Sequence, residues 1–260
     1  MMEIAAVVSG ALTGFIVGMT GVGGGSLMTP ILILLLGVAP GTAVGTDLLF
    51  ATVTKLVAVK VHGAHGTIDW QIVKRLAWGS IPAACVVLLL MHRLALHKGA
   101  GDVIMPALGI ALVLTAIAML LKRRLHELGR RWRTTTPTTF KRLQPGLTVT
   151  AGAILGTLVT LTSIGAGALG TVLLAYLYPL RLTPARLVGT DLAHAVPLAL
   201  IAGLGYLWLG NIDFKLLGWL LLGSLPAVWL GSHLSARAPD RLVRNTIAVI
   251  LLLIGAKILI

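Results

Sequence analysis

Two glycine-rich segments, residues 20–26 (TGVGGGS) and 162–168 (TSIGAGA), carry the groups in this sequence best suited to chemistry. Glycine has no side chain and reaches positive φ without strain, so successive N–H groups can turn toward one point and form a nest for an anion. A helix restarting after such a break aims its N-terminal partial positive charge at the same point. The proposed donors are the main-chain amides of Gly23, Gly24, Gly25 and Ser26 and of Gly165, Ala166 and Gly167, with hydroxyls from Thr20, Thr46, Ser163 and Thr190. Such a set binds an oxyanion without a full positive charge, which suits a passenger that must be released. Close helix packing is the competing reading, and Gly14 and Gly18, four residues apart, fit it well. Three consecutive glycines fit it poorly, because they cover most of a helix circumference. A nucleotide-binding glycine loop is excluded: no strand precedes the segment and no lysine follows it.

Ionisable residues inside apolar stretches form the second set. Asp47 and Asp191 end matching triplets, Gly45-Thr46-Asp47 and Gly189-Thr190-Asp191. At membrane depth such groups are costly and mark function, whereas near a helix start aspartate is a good cap, and both readings stay open. Lys55 lies about two turns after Asp47 on the same face, either as an internal cation or as a snorkelling lysine. His194, three residues after Asp191, is a proton carrier or a packed histidine. Asp69 and Asp213 read as helix caps. His62 and His65 lack enough further ligands, so no metal and no cofactor is expected. The chain has no His-Glu-x-x-His motif, no paired membrane-protease aspartates and no Ser–His pair with supporting donors, so no catalytic residue is assigned and an enzyme is not expected.

The elements that must position these groups follow from composition. Apolar residues make up 57% of the chain and charged residues 11%, and several apolar runs reach the roughly 20 residues needed to cross a bilayer. This is an all-α polytopic membrane protein. Its net charge of +13 does not imply nucleic acid, because eight of its 21 Lys and Arg fall within residues 122–142, a segment linking apolar runs. Cys85, the single cysteine, is expected to pack as a small hydrophobe. No basic n-region or cleavage site precedes the first apolar segment, so that segment is expected to be retained.

The chain also repeats. At an offset of 142, Thr20, Gly23, Gly25 and Thr29 fall on Thr162, Gly165, Gly167 and Thr171. At an offset of 144, Gly45-Thr46-Asp47 falls on Gly189-Thr190-Asp191, Gly66, Ile68 and Asp69 on Gly210, Ile212 and Asp213, and Gly79, Ser80 and Pro82 on Gly223, Ser224 and Pro226. The pattern predicts a first unit (1–121), a basic cytoplasmic linker (122–145) and a second unit (146–260). Each unit is a broken, re-entrant helix hairpin followed by three transmembrane helices: 4–20, 25–36, 41–61, 70–91 and 103–121, then 147–162, 167–177, 184–207, 214–233 and 241–259. The hairpin returns to its starting side and three spans follow, so the second unit enters from the opposite face. Inverted repeats with interrupted helices are a recurring build of secondary transporters, and the breaks point to the substrate site.

The TGVGGG break, Thr29-Pro30, and Ala43 with Gly45-Thr46, all repeated in weaker form about 140 residues later, resemble the TauE/SafE sulfite exporter family. The resemblance covers nearly the whole chain. It implies an inner-membrane permease that exports sulfite or a small organosulfonate by alternating access. The alternatives are a passive anion channel and a permease for a different small anion. The expected partners are the anion and membrane lipid, with monomer and homodimer both open.

Overall fold

The computed structural model describes residues 2–20, 25–64, 66–96, 100–234 and 240–259. They form ten helices: α1 (Met2–Thr20), α2 (Gly25–Leu34), α3 (Pro40–Ala64), α4 (Trp70–Leu96), α5 (Ala100–Thr135), α6 (Pro137–Thr162), α7 (Ala168–Leu177), α8 (Pro184–Trp208), α9 (Phe214–Leu234) and α10 (Asp240–Leu259). Six of them, α3, α4, α5, α6, α8 and α9, are long and apolar enough to cross a membrane. The outward faces carry large apolar side chains such as Leu35, Trp78, Leu222 and Trp229, as lipid as solvent requires.

Two helix ends differ from those expected, 121 and 147. The stretch anticipated as a linker, 122–145, is helical almost throughout: α5 continues to Thr135 and α6 starts at Pro137. Its Lys, Arg, Leu and Glu residues are good helix formers, so the charge that ends the membrane span does not end the helix. The break falls at Thr136 (φ −131°, ψ 66°), where the following proline disfavours helical backbone. At 36 residues α5 is about 54 Å long, so it projects well beyond a hydrocarbon layer of roughly 30 Å.

The principal packing pairs are α1 with α9, α4 with α6, α5 with α10 and α3 with α8. Glycines permit the first two. A Cβ on Gly10 or Gly14 would stand 2.2 or 2.6 Å from the carbonyl oxygens of Leu220 or Ser224, and on Gly152 or Gly156 2.2 or 2.3 Å from those of Leu76 or Ser80. These contacts correspond residue by residue at the offsets of 142 and 144. Crossed ties do the same: Thr46 Oγ1 accepts from the Asp213 N–H at 3.1 Å and Thr190 Oγ1 from the Asp69 N–H at 3.0 Å.

Each short helix folds back beside the one before it. Ala6 of α1 and Leu32 of α2 share an apolar cluster. At the start of α6, Gln144 Nε2 donates to the Leu177 carbonyl at 2.5 Å, and Thr148 Oγ1 meets the Tyr178 hydroxyl at 2.8 Å, both at the end of α7. The most enclosed spans are α3 and α8, the two that carry Asp47, Lys55, Asp191 and His194.

Candidate anion site between the helix breaks

The second break is fully described. The Ser163 N–H donates to Val159 O at 2.7 Å, closing α6, and Ser163 takes left-handed backbone (φ 59°). Gly165 and Gly167 follow at φ 123° and 116°, a region in which a side chain would be strained, and α7 restarts at Ala168. Thr162 Oγ1 donates to Leu158 O at 2.6 Å and accepts from the Ile164 N–H at 3.1 Å, so it serves the turn.

In the first break, Gly23 and Gly24 lie outside the described residues. Of Thr20 and Ser26 only the backbone is described: Thr20 ends α1, and Gly25 and Ser26 open α2. The flanks of the two breaks approach one another. Leu27 shares a single apolar cluster with Ile164 and Ala168.

The ionisable residues converge on this region. Asp47 and Asp191 are buried in the second turns of α3 and α8, past the capping positions, and α8 is capped instead by Thr183, which accepts from the Arg186 N–H. Thr29 Oγ1, on α2, donates to Asp47 Oδ2 at 2.6 Å. Ser163 lies beside the same carboxyl group. Gly167, at the mouth of α7, lies beside the Asp191 carboxyl group. Asp191 also presses on α7, where a Cβ added to Gly170 would stand 1.9 Å from its Oδ1.

Lys55 joins the two halves. It is 4% exposed, so it does not snorkel, and its Nζ donates to the Ala166 carbonyl in the second break at 3.3 Å. It acts electrostatically on both Asp47 and Asp191, and Lys122 acts on Asp191 as well. His194 Nε2 and Ser80 Oγ are 2.8 Å apart, a pairing across the units that the sequence did not suggest. His194 Nδ1 has no carboxylate to orient it and no partner among the described residues, so the pair lacks the third member of a nucleophile-activating triad.

Several buried polar atoms have no hydrogen-bond partner among the described residues: Asp47 Oδ1, Asp191 Oδ1, Ser163 Oγ, Thr160 Oγ1 and His194 Nδ1. Each such atom costs about 1–3 kcal/mol if left unmet, and Asp47, Asp191 and His194 among these residues lie within the electrostatic reach of Lys55. The expected hydroxyl donors Thr46 and Thr190 are buried here too, with their oxygens already accepting from Asp213 and Asp69. The hydroxyl protons are not used in those bonds.

Other residues serve the frame. Asp69 and Asp213 cap their helices through Ile72 N–H and Leu216 N–H, and Asp69 also holds a bidentate bridge from Arg181 at 2.7 and 3.0 Å. No metal-binding group of three or more His, Cys, Asp or Glu occurs among the described residues; His65 lies outside them. Cys85 faces outward on α4 and is not packed inside as expected.

Comparison with known proteins agrees with this architecture. The "Probable membrane transporter protein YjnA" of Bacillus subtilis (strain 168) is 40% identical over 261 residues, covering 99% of this chain and all of that protein. The "Probable membrane transporter protein YdhB" of the same organism is 26% identical over 240 residues, 91% of each chain. No solved structure matches. The family model for "Sulfite exporter TauE/SafE" matches residues 6–258. A multi-pass helical chain with a polar centre enclosed by its spans, matched over nearly its whole length by that model, is a membrane transporter and not an enzyme, and it belongs to the TauE/SafE sulfite exporter family.

Proposed function

We propose that the chain exports a small sulfur oxyanion, sulfite foremost or an organosulfonate, by alternating access between two inverted units. The observation that carries this is Lys55, the one buried lysine among the described residues, reaching from one unit to the break of the other near unpartnered polar atoms. The paired contacts at fixed offsets support the division into two repeated units flanking the helical segment 122–145.

In this reading Asp191 holds the place of the passenger. Its carboxylate lies at the N-terminus of α7, where an oxyanion would be bound by the amides of Gly165, Ala166 and Gly167. An arriving anion takes over those amides and Lys55, and repulsion between like charges requires Asp191 to swing aside or take a proton. Asp47, its counterpart in the repeat, is held by Thr29 of α2 and faced by Ser163 of the second break. Protons that enter with or against the anion would give the transporter its driving force, with His194 as a further carrier. Saturable flux is the signature that separates this carrier from a passive channel.

The test is flux in proteoliposomes, comparing sulfite, sulfate, sulfoacetate and chloride with and without a pH gradient. Sulfite flux should saturate and respond to the gradient. Ala166→Leu places a large side chain in the buried break and should abolish flux while the protein still inserts and purifies as a folded species. Normal transport by the Ala166→Leu variant would show that the binding site lies elsewhere.

A further inference from the structure

Below the Asp69–Arg181 bridge, on the face where the long ends of α5 and α6 project, lies a separate cavity of about 390 Å³. We propose that it is a binding site for a phosphate-bearing ligand, either the headgroup of an anionic phospholipid or a small soluble phosphate ester. It does not depend on the transport reading.

Four cations from separate elements line it: Arg75 of α4, Arg133 of α5, Lys141 of α6, and Arg181 after α7. Among the described residues no carboxylate lines it. Arg181 is neutralised by Asp69, which leaves three positive charges facing one concavity. Basic residues outside a membrane span ordinarily fan out into water, each to its own side. Here they are held in place. Arg75 Nη1 donates to the buried Tyr178 hydroxyl at 3.4 Å, which Thr148 fixes in turn. Arg133 donates to Pro137 O at 3.2 Å, with its guanidinium 5.9 Å from the centre of the Phe140 ring. Each guanidinium spends one N–H on the frame and keeps others for a ligand, while Lys141 has no partner among the described residues. Guanidinium groups presented this way suit the oxygens of a phosphate, and the volume exceeds what a bare oxyanion needs. Leu180, an exposed apolar residue on the rim, gives a glycerol backbone or acyl chain a surface to follow.

The experiment uses the full-length protein in detergent. Native mass spectrometry measures retention of phosphatidylglycerol against phosphatidylcholine, and thermal shift measures stabilisation by glycerol 3-phosphate. The variant is Arg133→Gln with Lys141→Gln, and the control is Arg123→Gln with Arg130→Gln, which removes equal charge from exposed positions outside the cavity. At about fivefold per basic residue near a phosphate surface, the pocket variant should lose roughly 25-fold in affinity and the control far less. Loss confined to the lipid arm identifies a headgroup site, and loss confined to the glycerol phosphate arm identifies a soluble ligand. If the wild type prefers neither ligand over phosphatidylcholine, or if the control loses as much as the pocket variant, the assignment is overturned.

Discussion

Replacing Gly170 by alanine should press directly on Asp191. Gly170 is in the helical part of α7, so the backbone tolerates alanine, and helix propensity alone would stabilise the protein by up to about 1 kcal/mol. The added Cβ, however, would stand 1.9 Å from Asp191 Oδ1, about 1.5 Å inside ordinary van der Waals contact. Asp191 is buried against α7 with little room to retreat, and overpacking of that kind costs roughly 1–3 kcal/mol. Overpacking less the propensity gain leaves a net destabilisation of up to about 3 kcal/mol, together with a fall in sulfite flux. In an Asp191→Ala background the obstacle is gone, and Gly170→Ala should become neutral or stabilising by up to about 1 kcal/mol. Gly218→Ala on α9, where a Cβ meets nothing within 4 Å, supplies the propensity effect alone. Reversible unfolding in mixed micelles over the four members of the cycle should give a coupling of about 1–3 kcal/mol. If Gly170→Ala stabilises the native background as Gly218→Ala does, or costs the same with and without Asp191, the carboxylate is not seated at the mouth of α7.

Lys55→Met should destabilise the fold by about 1.5–3 kcal/mol near neutral pH, because it removes the charged donor to the Ala166 carbonyl and the cation that faces two buried carboxylates. Unfolding measured as a function of pH should show that deficit shrinking as the pH falls and the carboxylates take up protons; a deficit that grows in acid would refute the pairing. Thr46→Val and Thr190→Val each remove the acceptor for an amide of the opposite half, at about 1–2 kcal/mol in the same unfolding assay. Thr190→Val should cost more, because the Asp69 amide bond is buried and the Asp213 bond only partly so. Cys85, outward on α4, should react in membranes with an apolar maleimide and resist a charged, impermeant one. Equal labelling by both reagents would place it in water.

Most of the helices were legible because breaks, prolines and apolar runs are local signals. Gly66 to Asp69 before Trp70, or Pro184 after Thr183, announce a helix start without reference to the rest of the chain. The ends of α5 and α6 were missed because a change from apolar to basic residues was read as a change of backbone, although Arg and Leu favour the same helix on either side of the interface. The residues of the candidate site were singled out by duplication: matched triplets drew attention to Asp47 and Asp191, and the shared helix face to Lys55 and His194. Partners contributed by the other half were not. The link from Lys55 to Ala166 joins residues 111 apart, and that from Ser80 to His194 residues 114 apart, and nothing in either neighbourhood signals it. Thr29 was within reach, since it aligned with Thr171 in the repeat. In the structure the two differ: Thr29 serves Asp47, while Thr171 Oγ1 turns back to Ala168 O at 2.9 Å.

The crosswise docking of α1 on α9 carries a consequence for biosynthesis. Gly10 and Gly14 are shaped for a carbonyl ridge at Leu220 and Ser224 that lies some 200 residues downstream. At translation rates of about 5–20 residues per second, the first segment waits roughly 10–40 s in the bilayer before its mate leaves the ribosome. A nascent chain arrested before Phe214 would therefore hold its opening helix unclasped, and a crosslink between positions 10 and 220 should form only once synthesis has passed that point.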